Sequence, residues 1–271
     1  LIDIHTHLHP PRLFAAIRRW FAERSPWAID HPETPAEIAR VMFENGVEQF
    51  AFCSYAHKPG IARDLNEWLA RTARELGPRA HALCTVHLDD PDPLGDARTA
   101  LDDGCIGMKI HEDVQQLPID DARFTPILDL LAKRDAFVLV HVGPIPWRTD
   151  TNDGPARIAR VLDRHPTLRI TVAHLGSPDT LRYFALGKTY PNLFTDTTMA
   201  LTHPDLLAPV NGADLEAAHA MILYGSDYPN IPYPYARERE SIDALGLSDG
   251  ARRAIFRENA LRFSPAFGGT R

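Results

Sequence analysis

Thirteen histidines stand among the 271 residues of this chain, and their placement says more than their number. Two of them, His5 and His7, alternate with a threonine in the opening run Leu-Ile-Asp-Ile-His-Thr-His. Imidazole is a ligand for divalent metals and a carrier of protons near neutral pH. A lone inward histidine reads most simply as a satisfied core residue. Two at i and i+2 near the end of one strand need two separate partners, and a shared metal ion satisfies both at once. The pattern recurs further along the chain. FVLVHVG closes its apolar run with His141, ITVAHLG with His174, ILYGSDYP with Asp227 and GMKIHED with Lys109. On an alternating strand His141 shares a face with Leu139 and Phe137, His174 with Val172 and Ile170, and Asp227 with Gly225 and Leu223. Polar residues that repeatedly close apolar runs predict a site assembled from strand ends. On the first strand the same alternation sends Asp3, His5 and His7 inward and leaves Ile2, Ile4 and Thr6 to pack against helices. An inward carboxylate at Asp3 needs a partner, so its expected part is to hold a ligand imidazole or a nearby backbone donor.

The elements that would carry these residues follow from the hydrophobic pattern. Short β-type runs are expected at Leu1–His7, Val47–Tyr55, Arg79–Leu88, Gly107–His111, Phe137–Val142, Leu168–His174, Asn192–Thr197 and Met221–Asp227. Amphipathic stretches with helical spacing lie between them, among them LFAAIRRWFAER, PAEIARVMFENG, LNEWLARTAREL, FTPILDLLAKRD and PARIARVLDRHP. Eight β units, each followed by helical material, in a chain of this length predict an α/β fold. The expected form is a single (β/α)8 TIM-barrel domain over residues 1–271, with a metal site at the C-terminal ends of its strands. A doubly wound open sheet is the alternative, but no G-x-G-x-x-G follows the first strand to mark a dinucleotide site.

Composition narrows the partners. Twenty-nine Lys and Arg against 36 Asp and Glu give a net charge of −7, the wrong balance for gripping a phosphate backbone. No apolar run reaches the ~20 residues of a membrane helix, and the first ten residues lack the layout of a secretory signal. The three cysteines, Cys53, Cys84 and Cys105, form no C-x-x-C pair and no disulfide framework. A reduced cytoplasm is the simplest expectation. The expected partner is a small molecule, with homo-oligomerisation open and neither nucleic acid nor membrane involved.

Together the motifs D-I-H-T-H (Asp3–His7), V-H-V-G around His141, V-A-H-L-G around His174 and Y-G-S-D-Y-P around Asp227 resemble the amidohydrolase superfamily. The likeness is to its amidohydrolase-2 group, with the relatives of aminocarboxymuconate-semialdehyde decarboxylase. N-L-F-T-D-T-T (Asn192–Thr198) and R-E-N-A-L-R-F (Arg257–Phe263) add to it. The resemblance implies one of two sites. In the mononuclear form His5, His7, His141 and Asp227 bind one ion and His174 acts as acid and base. In the binuclear form Lys109 is carboxylated and bridges two ions, one held by His5, His7 and Asp227, the other by His141 and His174. One ion is the favoured expectation. Mixed imidazole and carboxylate ligands suit Zn2+ best, with Mn2+ as the alternative.

Further candidates near the expected rim are Tyr55, His87, Lys109, His111, Trp147 and Arg148, any of which could touch or anchor an anionic substrate. His9 is expected in the first loop, and Asp196 in a structural position. The leading expectation is hydrolysis of a small amide, lactone or ester-like substrate by a metal-activated water, with His174 and Asp227 as catalytic residues. The runner-up is non-oxidative decarboxylation of an aromatic or unsaturated carboxylic acid on the same scaffold. A metal-dependent deoxyribonuclease ranks lower, given the acidic balance and a lysine rather than a glutamate on the fourth strand. A non-catalytic metal-binding barrel ranks last.

Overall fold

The computed structural model describes residues 1–24, 28–142, 153–202 and 207–269. Eight strands lie side by side in chain order. They are β1 (Ile2–His7), β2 (Gln49–Cys53), β3 (Ala80–Cys84), β4 (Gly107–His111), β5 (Phe137–His141), β6 (Arg169–Val172), β7 (Leu193–Asp196) and β8 (Ile222–Leu223). Each neighbouring pair runs parallel. Backbone hydrogen bonds close the seam between β1 and the chain leaving β8. Ile4 N–H donates to Tyr224 O at 3.0 Å, Asp227 N–H to His5 O at 2.9 Å, and His7 N–H to Tyr228 O at 2.8 Å. The fold is the expected (β/α)8 barrel.

Helical segments follow every strand, and their sequences explain where they sit. The helix Ala62–Leu76 buries Leu65, Leu69 and Thr72, one stripe at i, i+4 and i+7, and stops at Gly77, whose φ of 84° suits glycine. The helix Gly154–Arg164 opens with Asp153 accepting from Ala156 N–H at 3.2 Å and buries Ile158, Val161 and Leu162. Two apolar layers result. The outer one, between strands and helices, includes Phe50, Phe52, Val138, Val140, Ile170 and Val172. The inner one fills the barrel with Ile2, Ile4, Leu83, Phe137, Leu139 and Leu223, and is plugged by Phe263 and Phe267 from the C-terminal helices.

Two expectations change on contact with this frame. The strands are shorter than the apolar runs suggest, because the chain turns before or at His174 and Asp227. His174 has φ 56° and Asp227 φ 62°, left-handed values incompatible with an extended strand. Both residues therefore stand just past β6 and β8 rather than on a strand face. In addition, β1 does not alternate evenly. Asp3 pairs with Phe50 and Thr6 with Phe52, so an irregularity separates them. Such a bulge adds a residue and shifts the facing of what precedes it. Ile2 and Ile4 consequently enter the inner core, while Asp3 shares the register, and the helix-facing side, of Phe50. The inward reading of Asp3 is thus corrected.

Candidate active site

His5 and His7, at the end of β1, turn their Nε2 atoms toward one oxygen of Asp227. Asp227 Oδ1 lies 3.2 Å from His5 Nε2 and 3.0 Å from His7 Nε2. The rest of each ring is tied down. His5 Nδ1 faces Asp196 Oδ2 at 3.0 Å and Thr198 Oγ1 at 3.1 Å. With Nδ1–H donating to Asp196, Nε2 carries a lone pair, which faces Lys109 Nζ at 2.8 Å. Gly225 makes this approach possible, since a Cβ there would sit 2.5 Å from Thr198 Oγ1 and 2.9 Å from His5 Cβ. His7 Nδ1 faces Cys53 Sγ at 3.5 Å.

A second histidine group adjoins the first. His174 Nδ1 lies 2.9 Å from the carbonyl of Thr198, which only a ring N–H can satisfy, and His174 Nε2 lies 3.0 Å from His141 Nδ1. His174 thus accepts from His141 Nδ1–H, and the Nε2 of His141 is left with its lone pair. His111 stacks on His141 with centroids 4.1 Å apart and planes 9° from parallel, and Tyr55 meets His111 edge-on at 5.1 Å. These rings form a flat wall beside the site.

Lys109, inward on β4 and almost fully buried, places Nζ 2.8 Å from His5 Nε2. Asp3 accepts from Ser226 Oγ at 2.6 Å, Tyr235 OH at 2.9 Å and the backbone N–H of His5 at 3.2 Å. It therefore holds a backbone donor of β1 and, among the described residues, no imidazole. His87 is buried at the end of the β3 region, and the N–H of Asp89 donates to its Nδ1 at 3.3 Å. His9, expected in a loop, is buried, with Nδ1 2.9 Å from Ser54 Oγ. Trp147 and Arg148 fall outside the described residues.

Sequence reasoning missed Cys53, Thr198 and the part of Asp196. Asp196 is fully buried and accepts from His174 N–H at 3.1 Å and Thr198 N–H at 3.2 Å besides facing His5. A carboxylate closing the apolar run N-L-F-T-D, in phase with the other strand ends, was the available signal.

Charge in the site is strongly redistributed. Burial, helped by the Lys109 ammonium, holds His5 down to about 4. Burial also disfavours the His7 cation, but Cys53 and Asp227 outweigh it and push His7 up to about 9. For Asp227 burial opposes ionisation, yet His7, His5 and His174 hold it well below the usual carboxylate range. Burial lowers Lys109, and burial with the neighbouring imidazoles lowers His111 and His141.

The donor set fits a divalent cation. With His5 Nδ1 donating to Asp196, His5 Nε2 and Asp227 Oδ1 are two acceptors 3.2 Å apart, and a divalent cation between them would pair both. Ligand atoms of His5, His7 and Cys53 also fall within 4.8 Å of one another. The two ring nitrogens of His7 point in divergent directions, so an ion on the Asp227 side takes Nε2 and leaves Cys53 behind the ring.

A family model described as Amidohydrolase matches residues 2–264, and the chain belongs to that family. No curated protein matches it significantly. Among solved structures it is similar to the 5-carboxyvanillate decarboxylase of Novosphingobium aromaticivorans complexed with manganese and 4-hydroxy-3-methoxy-5-nitrobenzoic acid. That match has 17% identity and TM-score 0.72, and covers 99% of this chain and 96% of that one. It is also similar to the 2,6-dihydroxybenzoate decarboxylase from Rhizobium, at 20% identity and TM-score 0.69, over 98% and 97% of the two chains. A probable 2-pyrone-4,6-dicarboxylic acid hydrolase from Acinetobacter baumannii is similar at 12% identity and TM-score 0.67, over 99% of each chain. At these identities the likeness establishes the shared barrel. Among the described residues no helix is long and apolar enough to cross a membrane.

Proposed function

We propose that this chain is a metal-dependent carboxy-lyase that removes CO2 without oxidation from a small aromatic or unsaturated carboxylic acid. The observation that carries the reading is the convergence of His5 Nε2, His7 Nε2 and Asp227 Oδ1 beside the Lys109 ammonium, next to the flat His111–His141 wall. His5, His7, His141 and Asp227 would hold one divalent ion, Zn2+ or Mn2+, which when bound supplies Lewis acidity and fixed positive charge for an anionic substrate. The manganese and the nitrobenzoic acid complexed with the 5-carboxyvanillate decarboxylase, and the likeness to a second aromatic-acid decarboxylase, support this choice over hydrolysis.

The residues divide the work. Lys109 pairs with an anionic oxygen of the substrate, and its burial strengthens that contact. The His111–His141 pair and Tyr55 would offer aromatic surface to a planar ring. His174, oriented by the Thr198 carbonyl through Nδ1–H, would carry the proton on Nε2, exchanging the hydrogen bond it accepts from His141 for a proton of its own. As the carbon–carboxylate bond breaks, its electron pair stays on the substrate carbon, and the proton from His174 forms the new C–H bond. Asp196 and Asp3 act through others, the first by holding the His5 ring, the second by holding the β1 backbone.

The second reading, ring-opening hydrolysis of a lactone, is favoured by the similarity to the probable 2-pyrone-4,6-dicarboxylic acid hydrolase. There the strongly ionised Asp227 would act as base. Assaying CO2 release and ring opening over a panel of hydroxybenzoates and pyrone lactones separates the two. Decarboxylation in D2O leaves deuterium on the vacated carbon. Ring opening without CO2 would overturn the carboxy-lyase reading in favour of hydrolysis.

A further inference from the structure

We propose that Cys53 is a positioning residue that fixes which nitrogen of His7 is available to a metal. The inference rests on the reading that His5 and His7 bind a divalent ion. It begins with backbone register. His7 and Cys53 are direct partners across the parallel β1–β2 pair, each at the end of its strand. In-register neighbours point to the same side of a sheet, so the thiol lies beside the imidazole by construction of the barrel.

The contacts define a direction. Cys53 Sγ lies 3.4 Å from the Thr6 carbonyl oxygen, to which its S–H donates. That leaves sulfur lone pairs facing His7 Nδ1 at 3.5 Å. A thiol is a weak donor and a weak acceptor, but here no water competes, because Cys53 and Thr6 are fully excluded from solvent and His7 nearly so. The chain His7 Nδ1–H to Sγ, then S–H to Thr6 O, commits Nδ1 to the thiol. The nitrogen left for an ion is then Nε2, which faces Asp227 Oδ1 at 3.0 Å. Cys53 therefore does for His7 what Asp196 does for His5, with sulfur in place of carboxylate. The two ligand imidazoles of β1 are thereby held by groups of different strength and charge. The buried Cys84, at the end of β3, belongs to the outer apolar layer and serves as a matched control.

The test measures Zn2+ and Mn2+ affinity by chelator competition for the wild-type chain and for Cys53→Ala, Cys53→Ser, Cys84→Ala and His7→Ala. Folding of each is checked by thermal denaturation. Loss of an outer partner of a ligand histidine costs roughly 10–100-fold in metal affinity, and that loss is expected for Cys53→Ala. Cys53→Ser, whose hydroxyl also accepts from N–H and donates to a carbonyl, recovers most of it, and Cys84→Ala binds like wild type. Wild-type affinity in folded Cys53→Ala, together with loss in His7→Ala, overturns the inference and leaves the metal reading intact. A wild-type chain that takes up neither ion overturns both. Cobalt substitution supplies a readout independent of affinity. An intense sulfur-to-cobalt charge-transfer band would make Cys53 a ligand and overturn its positioning role, whereas its absence with Cys53→Ala weakened supports it.

Discussion

The floor and the mouth of the barrel are built on the same strands and obey opposite rules. Along the inward face of β5, Phe137 and Leu139 belong to the inner apolar core and His141, on the same face, belongs to the site. In the floor, Phe263 packs against Phe137 at 4.6 Å and Phe194 at 4.9 Å between ring centroids, and close packing of apolar side chains fills the space. In the mouth the buried side chains include His5, His7, Lys109, His141 and His174, and His174 and Asp227 hold left-handed backbone. Such positions cost about 1–3 kcal/mol each and persist only where the surroundings over-determine them. The floor stabilises and the mouth spends that stability on chemistry.

This division can be broken from either side. The largest effect is expected from Asp227→Asn. It removes the anion facing both β1 histidines, and turnover should fall by about 10²–10⁴-fold, the range that proton-transfer and charge-stabilising groups supply. The thermal midpoint should change little, as steady-state assay beside a melting curve would show. Full activity would refute the assignment of Asp227. Phe263→Ala should do the reverse. Removing a buried aromatic costs about 3–5 kcal/mol of stability, read by denaturant titration, while turnover per folded molecule stays close to wild type. A loss of turnover without a loss of stability would show that floor and mouth are not separable.

Asp196→Asn comes next. It weakens the hold on His5 Nδ1 and should reduce metal affinity by roughly 10–100-fold. It also replaces an acceptor facing two backbone N–H groups, so a modest stability loss accompanies it. Wild-type affinity in this variant would leave Asp196 with a purely structural part.

The smallest effect concerns pH and lies behind the mouth. Glu238 accepts hydrogen bonds from Tyr233 OH and from Thr202 Oγ1, the latter at 2.7 Å, yet burial dominates and pushes its carboxyl up from 4.5 to about 8. The folded chain then keeps a proton that the unfolded chain loses near 4.5. Stability from this group is complete below that pH and is lost as pH rises toward about 8. Glu238→Gln, which cannot ionise, should flatten the fall of the thermal midpoint between those limits. An unchanged slope would show that Glu238 does not titrate in that window.

Much of the site is legible one strand at a time. His5 and His7 declare themselves by spacing, and His141, His174, Lys109 and Asp227 by closing apolar runs, because burial on both faces of a barrel strand makes a polar terminus conspicuous. What escapes is whatever depends on a neighbouring strand. Nothing local marks Cys53 as the partner of His7, or Thr198 as the anchor of His174. The irregularity in β1 is equally silent, and it reversed the facing assigned to Ile2, Ile4 and Asp3. Lys109 shows the limit most plainly. Its placement on β4 follows from pattern, whereas its ammonium lying 2.8 Å from His5 Nε2 depends on a contact between residues 104 positions apart.

The sequence by itself determined the alternation of strands and helices, the closed barrel and most of the polar residues at its mouth. It could do so because hydrophobic periodicity and strand-end chemistry are encoded over a few residues. The tertiary structure decided which atoms face which. It set the bulge in β1, the left-handed turns that place His174 and Asp227 past their strands, and the register that puts a thiol behind His7 and a carboxylate behind His5. Those are relations between segments far apart in the chain, and closing the barrel brings them within hydrogen-bonding distance.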